Sequence, residues 1–359
     1  MSEVFSACGE VCADQARAAP PIVPVLTPGP GIFESLAWMI GWHAVQIGVT
    51  VAAVALVFSR FTLPAGIDQA AAGPTGLISA WQTSFRHNAV GILGVAQAAT
   101  IIYGLLAIRL RRGRDGLRQL GIQLPWARHW LLVGLLMTPL WILCAALQNA
   151  MFQWMPGSQD DLQGLMESLS QAPLWLLVIV MGLGPAVGEE LVFRGLIGRG
   201  LVARRGLASG MVVTSVLFGV MHTNPAQAIG VMPLGLAMHF VYYTTRSFWA
   251  PVTLHLLNNS FSVILLKHRA NSQIDTLVET EAGLPIYLLL FSAAMVAAIA
   301  MLLWQTRVQY VLRDGSLWDP GYRYKTACTG GCAAFIPTTA PSEKRLAISI
   351  KLNDAAAAG

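Results

Sequence analysis

Charge is scarce in this chain. Only 11% of its 359 residues are Asp, Glu, Lys or Arg, where a soluble domain carries about a quarter. With 55% hydrophobic residues and a mean hydropathy of +0.58, that scarcity excludes an ordinary soluble domain. It predicts a polytopic membrane protein whose solvent is the bilayer. Cysteine is sparse too. Four of the five cysteines form Cys8/Cys12 and Cys328/Cys332, one C-x3-C pair in each tail. That spacing is not a standard zinc pattern and reads as ordinary reduced thiols. No basic stretch precedes a short apolar run at the N-terminus, which argues against a signal peptide. No repeat of fixed period occurs, and the two halves lack the matched broken helices of an inverted-repeat transporter. The pI near 9.1 and net charge of +5 do not imply a nucleic-acid partner, because membrane proteins collect basic residues in cytoplasmic loops.

What is present is a series of apolar runs. They predict about eight transmembrane helices in an all-α bundle, over residues 32–58, 89–109, 129–152, 173–197, 207–222, 227–245, 250–266 and 284–306. Residues 59–88 read as a loop. His43 and Gln46, in the first run, read as packing or inter-helix hydrogen-bonding residues. Arg109, Arg111, Arg112, Arg114, Arg118 and Arg128 crowd one short loop, which should be cytoplasmic. Asp160, Asp161 and Glu167 follow the third run without a Lys or Arg and fit the opposite side. Arg199, Arg204, Arg205, Arg246, Arg307 and Arg313 then fall on the basic side if both termini are cytoplasmic. Four regions result: a disordered, proline-rich arm (1–31), helices and loops (32–172), a candidate catalytic membrane domain (173–306) and a mostly disordered tail (307–359).

The fourth run contains MGLGPAVGEELVFRGLIGRG, residues 181–200. It places three ionisable groups where a membrane helix should carry none, at a cost of roughly 2.5–3.5 kcal/mol each on insertion scales. Glu190 and Arg194 are four apart, acid first, and can neutralise each other. Glu189 points about 100° away and has no local cation. Pro185, among Gly182, Gly184 and Gly188, is expected to interrupt the helix just before the pair. An ion pair that only fixes packing would explain Glu190 and Arg194 and leave Glu189 unexplained.

Two further runs carry matching polar residues. LFGVMHTNP puts Phe218 and His222 on one helical face, and LHLLNNS does the same for His255 and Asn259, with Asn258 a third of a turn away. Such groups face a bundle interior, since lipid cannot satisfy them. Together they suit peptide hydrolysis. A carboxylate takes a proton from water, histidines orient that water or hold a metal that acidifies it, and an amide donates to the oxyanion. His239, alone in its run, reads as a packed, hydrogen-bonded residue. Counted from the cytoplasmic ends, Glu189, His222 and His255 fall at unequal depths, His255 shallow and His222 deep, and tilting or overhanging helices would level them.

Glu189-Glu190-x-x-x-Arg194, Phe218-x-x-x-His222 and His255-x-x-x-Asn259, in order on successive apolar segments, resemble the signature of the CPBP family. These are the CAAX proteases and bacteriocin-processing enzymes, also called Abi proteins, and they include the type II CAAX prenyl endopeptidases. The resemblance covers residues 173–265. It implies an intramembrane endopeptidase with an eight-helix core, acting on a membrane-associated protein or peptide, CAAX-type processing among the options. Glu189 would be the general base, with Glu190 and Arg194 in support. His222 and His255 would position water or a zinc ion, and Asn259 would stabilise the oxyanion. Family members are described both as metalloproteases and as glutamate peptidases. Zinc held by His222, His255 and Glu189 would leave Glu190 as the base, against its pairing with Arg194, so the residues lean towards metal-independent chemistry or a weakly held metal. The rival from another class is a transporter or proton relay built on the buried Glu and His residues. The single polar cluster argues against it. A silent scaffold ranks lower, since packing needs no free Glu189.

Overall fold

The computed structural model describes residues 29–60, 69–113, 116–117, 120–159, 168–169, 172–269, 284–308, 310–311 and 317–318. The arm before residue 29, the acidic loop 160–167, Arg114, Arg118, the four tail cysteines and most of the C-terminal tail lie outside them. Among the described residues the fold is all-α and polytopic. Its helices are α1 (Ile32–Ser59), α2 (Gln69–Arg112), α3 (Ala127–Trp154), α4 (Leu174–Arg205), α5 (Leu207–Val220), α6 (Pro225–Gly230), α7 (Met232–Thr245), α8 (Trp249–Arg269) and α9 (Ile286–Gln305). One two-residue antiparallel pair, Tyr310–Val311 with Leu317–Trp318, lies in the region expected to be mostly unstructured.

Every expected apolar run is helical, with differences in length. The expected loop 59–88 is helical from Gln69 onward. Its polar residues, from Gln82 to Asn88, lower hydropathy without breaking a helix, so they mark where the apolar stretch starts and not where the helix does. Among the described residues five helices are long and apolar enough to cross a membrane: α1, α2 from Ile78, α3, α4 and α9. The expected fifth, sixth and seventh spans are not among them; the seventh, on α8, has 21 residues. Helix α5 has 14 residues, about 21 Å at 1.5 Å per residue. The sixth run is divided at Val231 into α6 and a 14-residue α7.

Helix α4 is the axis of the bundle. In its most apolar stretch 56% of residues are buried, against 6% in α1. Small residues let its neighbours approach closely. A Cβ at Gly184 would sit 2.9 Å from Gln97 Cβ, and one at Gly188 2.9 Å from Thr100 Oγ1, both on α2. One apolar cluster joins Phe193 and Ile197 of α4 to Phe218 of α5, Met238 of α7, Leu254 of α8, and Val133 and Leu303 of the flanking helices. Outward faces are apolar as well, including Ile40, Val51, Leu131 and Phe291. In water such a surface would be a liability; against lipid it is the expected one.

The loop before α3 clamps the corner between α7 and α8. Tyr242 Oη donates to Leu120 O (2.9 Å), Phe248 N–H to Gly121 O (2.8 Å) and Trp249 Nε1–H to Ile122 O (2.9 Å). This fixes the start of the helix that carries His255.

Candidate active site

Helix α4 is continuous through Pro185. The expected interruption is instead a change of winding. Residues Val178–Leu183 and Leu191–Gly198 are π-helical, on either side of an α-helical Gly184–Glu190. The π register ahead of Pro185 accommodates a residue that has no N–H to give. Such wider turns recur at functional sites.

The two glutamates divide as their 100° rotation requires. Glu190 is sealed in the interior, its side chain 0% exposed, while that of Glu189 is 15% exposed. Only Glu189 can therefore meet water or substrate. Arg194 Nη1 donates to Glu190 Oε1 (2.9 Å) and Nη2 to Gly235 O (2.8 Å) on α7. The acid–base pair read from the four-residue spacing is present, with a partner the sequence does not disclose. His255 Nδ1–H donates to the same Glu190 Oε1 at 3.0 Å. A carboxylate can only accept there, so Nδ1 carries a proton, and in a neutral ring Nε2 is the acceptor. That Nε2 lies 3.8 Å from Glu189 Oε2. A water about 2.8 Å from each atom would close a triangle over that gap.

His222 follows the end of α5. Its Nδ1–H donates to Phe218 O (3.1 Å), again leaving Nε2 as an acceptor. The Phe218 ring ties the site together. It meets His222 and His255 edge-on, with centroids 5.3 and 5.9 Å away, and packs on Phe193 at 5.2 Å. The Arg194 guanidinium carbon lies 4.9 Å from its centroid. The sequence placed Phe218 on the face of His222 but gave it no role.

Asn259 donates through Nδ2 to Met181 O (3.1 Å), and its Oδ1 accepts from Asn258 Nδ2 (3.1 Å). One N–H of its amide remains after these two bonds. Asn258, considered from the sequence as a partner for a metal-binding histidine, is engaged with Asn259. Thus Glu189, Glu190, Arg194, His255 and, through Phe218, His222 form one constellation, and Asn259 joins the same helices one turn away. The unequal depths expected for Glu189 and His255 are levelled. Sixteen residues of α4 follow Glu189, about 24 Å, and six of α8 precede His255, about 9 Å, so the last turns of α4 overhang the start of α8.

Residues 171–261 match the family model described as type II CAAX prenyl endopeptidase Rce1-like. This segment is similar to that family. The match takes in about a quarter of the chain and every site residue above. A Bacillus subtilis protein described as "Putative membrane peptidase YdiL" is 27% identical over 106 residues, which span 30% of this chain and 43% of that protein. No solved structure matches.

Within the Rce1-like segment the donor set for a metal ion is incomplete. Among the described residues no three His, Cys, Asp or Glu side chains are grouped to hold one. His255 and His222 each present one free ring nitrogen, and Glu190 is committed to two donors. His239, expected to be hydrogen-bonded, is fully buried and has no partner on either ring nitrogen among the described residues. It packs edge-on against Tyr242, 6.5 Å between centroids.

Proposed function

We propose that the chain is an intramembrane endopeptidase of the Rce1-like type, which cleaves a membrane-associated protein or peptide by water activated at Glu189. The observation that carries this reading is the pair of acceptors, Glu189 Oε2 and His255 Nε2, 3.8 Å apart at the partly exposed edge of a buried ion pair. A water donating one hydrogen to each turns a lone pair outward, towards a scissile carbonyl. Glu189 takes the proton as the C–O bond forms. The oxyanion of the tetrahedral intermediate accepts the remaining N–H of Asn259. The C–N bond then breaks, and Glu189 returns its proton to the leaving amine. Arg194 neutralises Glu190, and Glu190 holds the His255 tautomer that keeps Nε2 an acceptor. His222, sharing the Phe218 ring with His255, offers a second acceptor for water or for the peptide N–H. Zinc, if bound, would use His222, His255 and Glu189 and would acidify the water.

The test is Glu189→Gln, which keeps shape and removes the base. In lipid vesicles, cleavage of an internally quenched farnesylated CAAX peptide should fall about 10²–10⁴-fold, with the folded protein unchanged. Comparison of membrane peptides from cells carrying either form identifies natural substrates. Equal cleavage by the two forms removes Glu189 from the mechanism. Proton flux into vesicles, lost in Glu189→Gln, would replace the enzyme with a relay.

A further inference from the structure

Asn259 is placed by a proline on another helix. Gly184 N–H closes the π winding on Ile179 O, and the α winding begins at Gly184, so residue 185, at the switch, would aim its N–H at the junction carbonyls Val180 O and Met181 O. Pro185 has no N–H. Met181 O instead accepts from Asn259 Nδ2 at 3.1 Å, across the contact between α4 and α8. The approach is close, because Gly182 faces α8: a Cβ there would lie 3.0 Å from Ser260 Oγ and 3.1 Å from Leu256 Cδ1. The other end of the amide is also fixed. Asn258 Nδ2 donates to Asn259 Oδ1 (3.1 Å), and α8 is tied to α3 nearby, where Trp141 Nε1–H donates to Ser262 Oγ (3.0 Å). Asn259 is thus held on its oxygen by the neighbouring Asn258 side chain, and on one N–H by Met181 O of α4.

We propose that Pro185 is a positioning residue for Asn259: by withholding a main-chain donor from Met181 O, it reserves that carbonyl for the Asn259 amide and so aims the second N–H at the reacting carbonyl. The proposal rests on the peptidase reading above for its catalytic meaning, though the hydrogen-bond exchange itself does not. Pro185→Ala restores an N–H that competes for Met181 O. The substitution is benign for the helix, since alanine is the better helix former, so lost activity is not lost folding.

The experiment is a double-mutant cycle with a spectroscopic arm. With the quenched farnesylated CAAX peptide as probe, Asn259→Ala should lower kcat about 10²–10³-fold, the usual cost of an oxyanion donor. Pro185→Ala alone should lower kcat about tenfold at unchanged KM, a fraction of that cost. In the Asn259→Ala background, Pro185→Ala should change kcat by less than about twofold, because it has nothing left to position. In parallel, asparagine ¹⁵N-labelled protein in nanodiscs should show the Asn259 side-chain amide resonances, assigned by their loss in Asn259→Ala, shifted in Pro185→Ala. Equal effects of Pro185→Ala in both backgrounds, or unmoved amide resonances, overturn the proposal. If the wild-type protein cleaves nothing while the resonances move as expected, the peptidase reading fails and the positioning role stands.

Discussion

Removal of the buried cation is the sharpest test of how this site is held together. Arg194 and Glu190 have no exposed side-chain surface and lie 2.9 Å apart. Arg194→Met keeps the aliphatic stem of the side chain but leaves the Glu190 carboxylate buried, with His255 as its one remaining donor among the described residues. Breaking a buried pair from one side costs about 3–5 kcal/mol. Part of that is the loss of the charged hydrogen bond from Arg194 Nη2 to Gly235 O. Glu190→Gln together with Arg194→Met removes both charges, while the Gln oxygen can still accept from His255 Nδ1. The double variant should therefore recover everything except the Gly235 share. The assay uses Cys144, a free and buried thiol on α3. With Cys8, Cys12, Cys328 and Cys332 replaced by serine, a thiol-reactive fluorophore reports thermal exposure of Cys144 in nanodiscs. Arg194→Met should lower the midpoint by about 10 °C, and the double variant should return more than half of that. A single variant within about 1 kcal/mol of wild type, or a double variant no better than the single, would refute a charge pair held by mutual need.

Other outcomes follow from the same geometry. Glu189→Gln should abolish most cleavage without moving the Cys144 midpoint, because Glu189 is the partly exposed member of the pair. Phe218→Ala removes a ring that touches Phe193, Arg194, His222 and His255; it should cost about 3–5 kcal/mol, read by the same midpoint, and cleavage with it. Dialysis against a chelator should leave cleavage intact, with zinc well below one per chain by elemental analysis. One tightly held zinc, lost together with activity in His222→Ala and His255→Ala, would make the chain a metalloprotease.

Much of the site was legible because its residues pair along single helices. Glu190 with Arg194, Phe218 with His222 and His255 with Asn259 all repeat the four-residue offset, and helical geometry turns that offset into a shared face. The apolar runs were legible for the same reason: hydropathy reports burial in lipid or protein. Helix ends were not. Residues 82–88 are polar enough to look like a loop and regular enough to extend α2, and Val231 divides α6 from α7 without a charge to announce it.

The contacts hidden from the sequence share one character: one partner in each is a backbone carbonyl, or a side chain on a helix distant in the chain. Gly235 O beneath Arg194, Met181 O beneath Asn259 and Phe218 O beneath His222 carry no residue-type signature. His255 reaches Glu190 from α8, whose start is docked by the loop around Gly121. Pro185 is the partial exception. Its missing N–H is written in the sequence and shows that a carbonyl near Met181 needs another donor, though not which donor arrives. A buried acceptor without a main-chain donor must be met from elsewhere, and here an amide from α8 meets it. The proline that looked like a break in the glutamate helix is therefore the place where that helix takes hold of its neighbour.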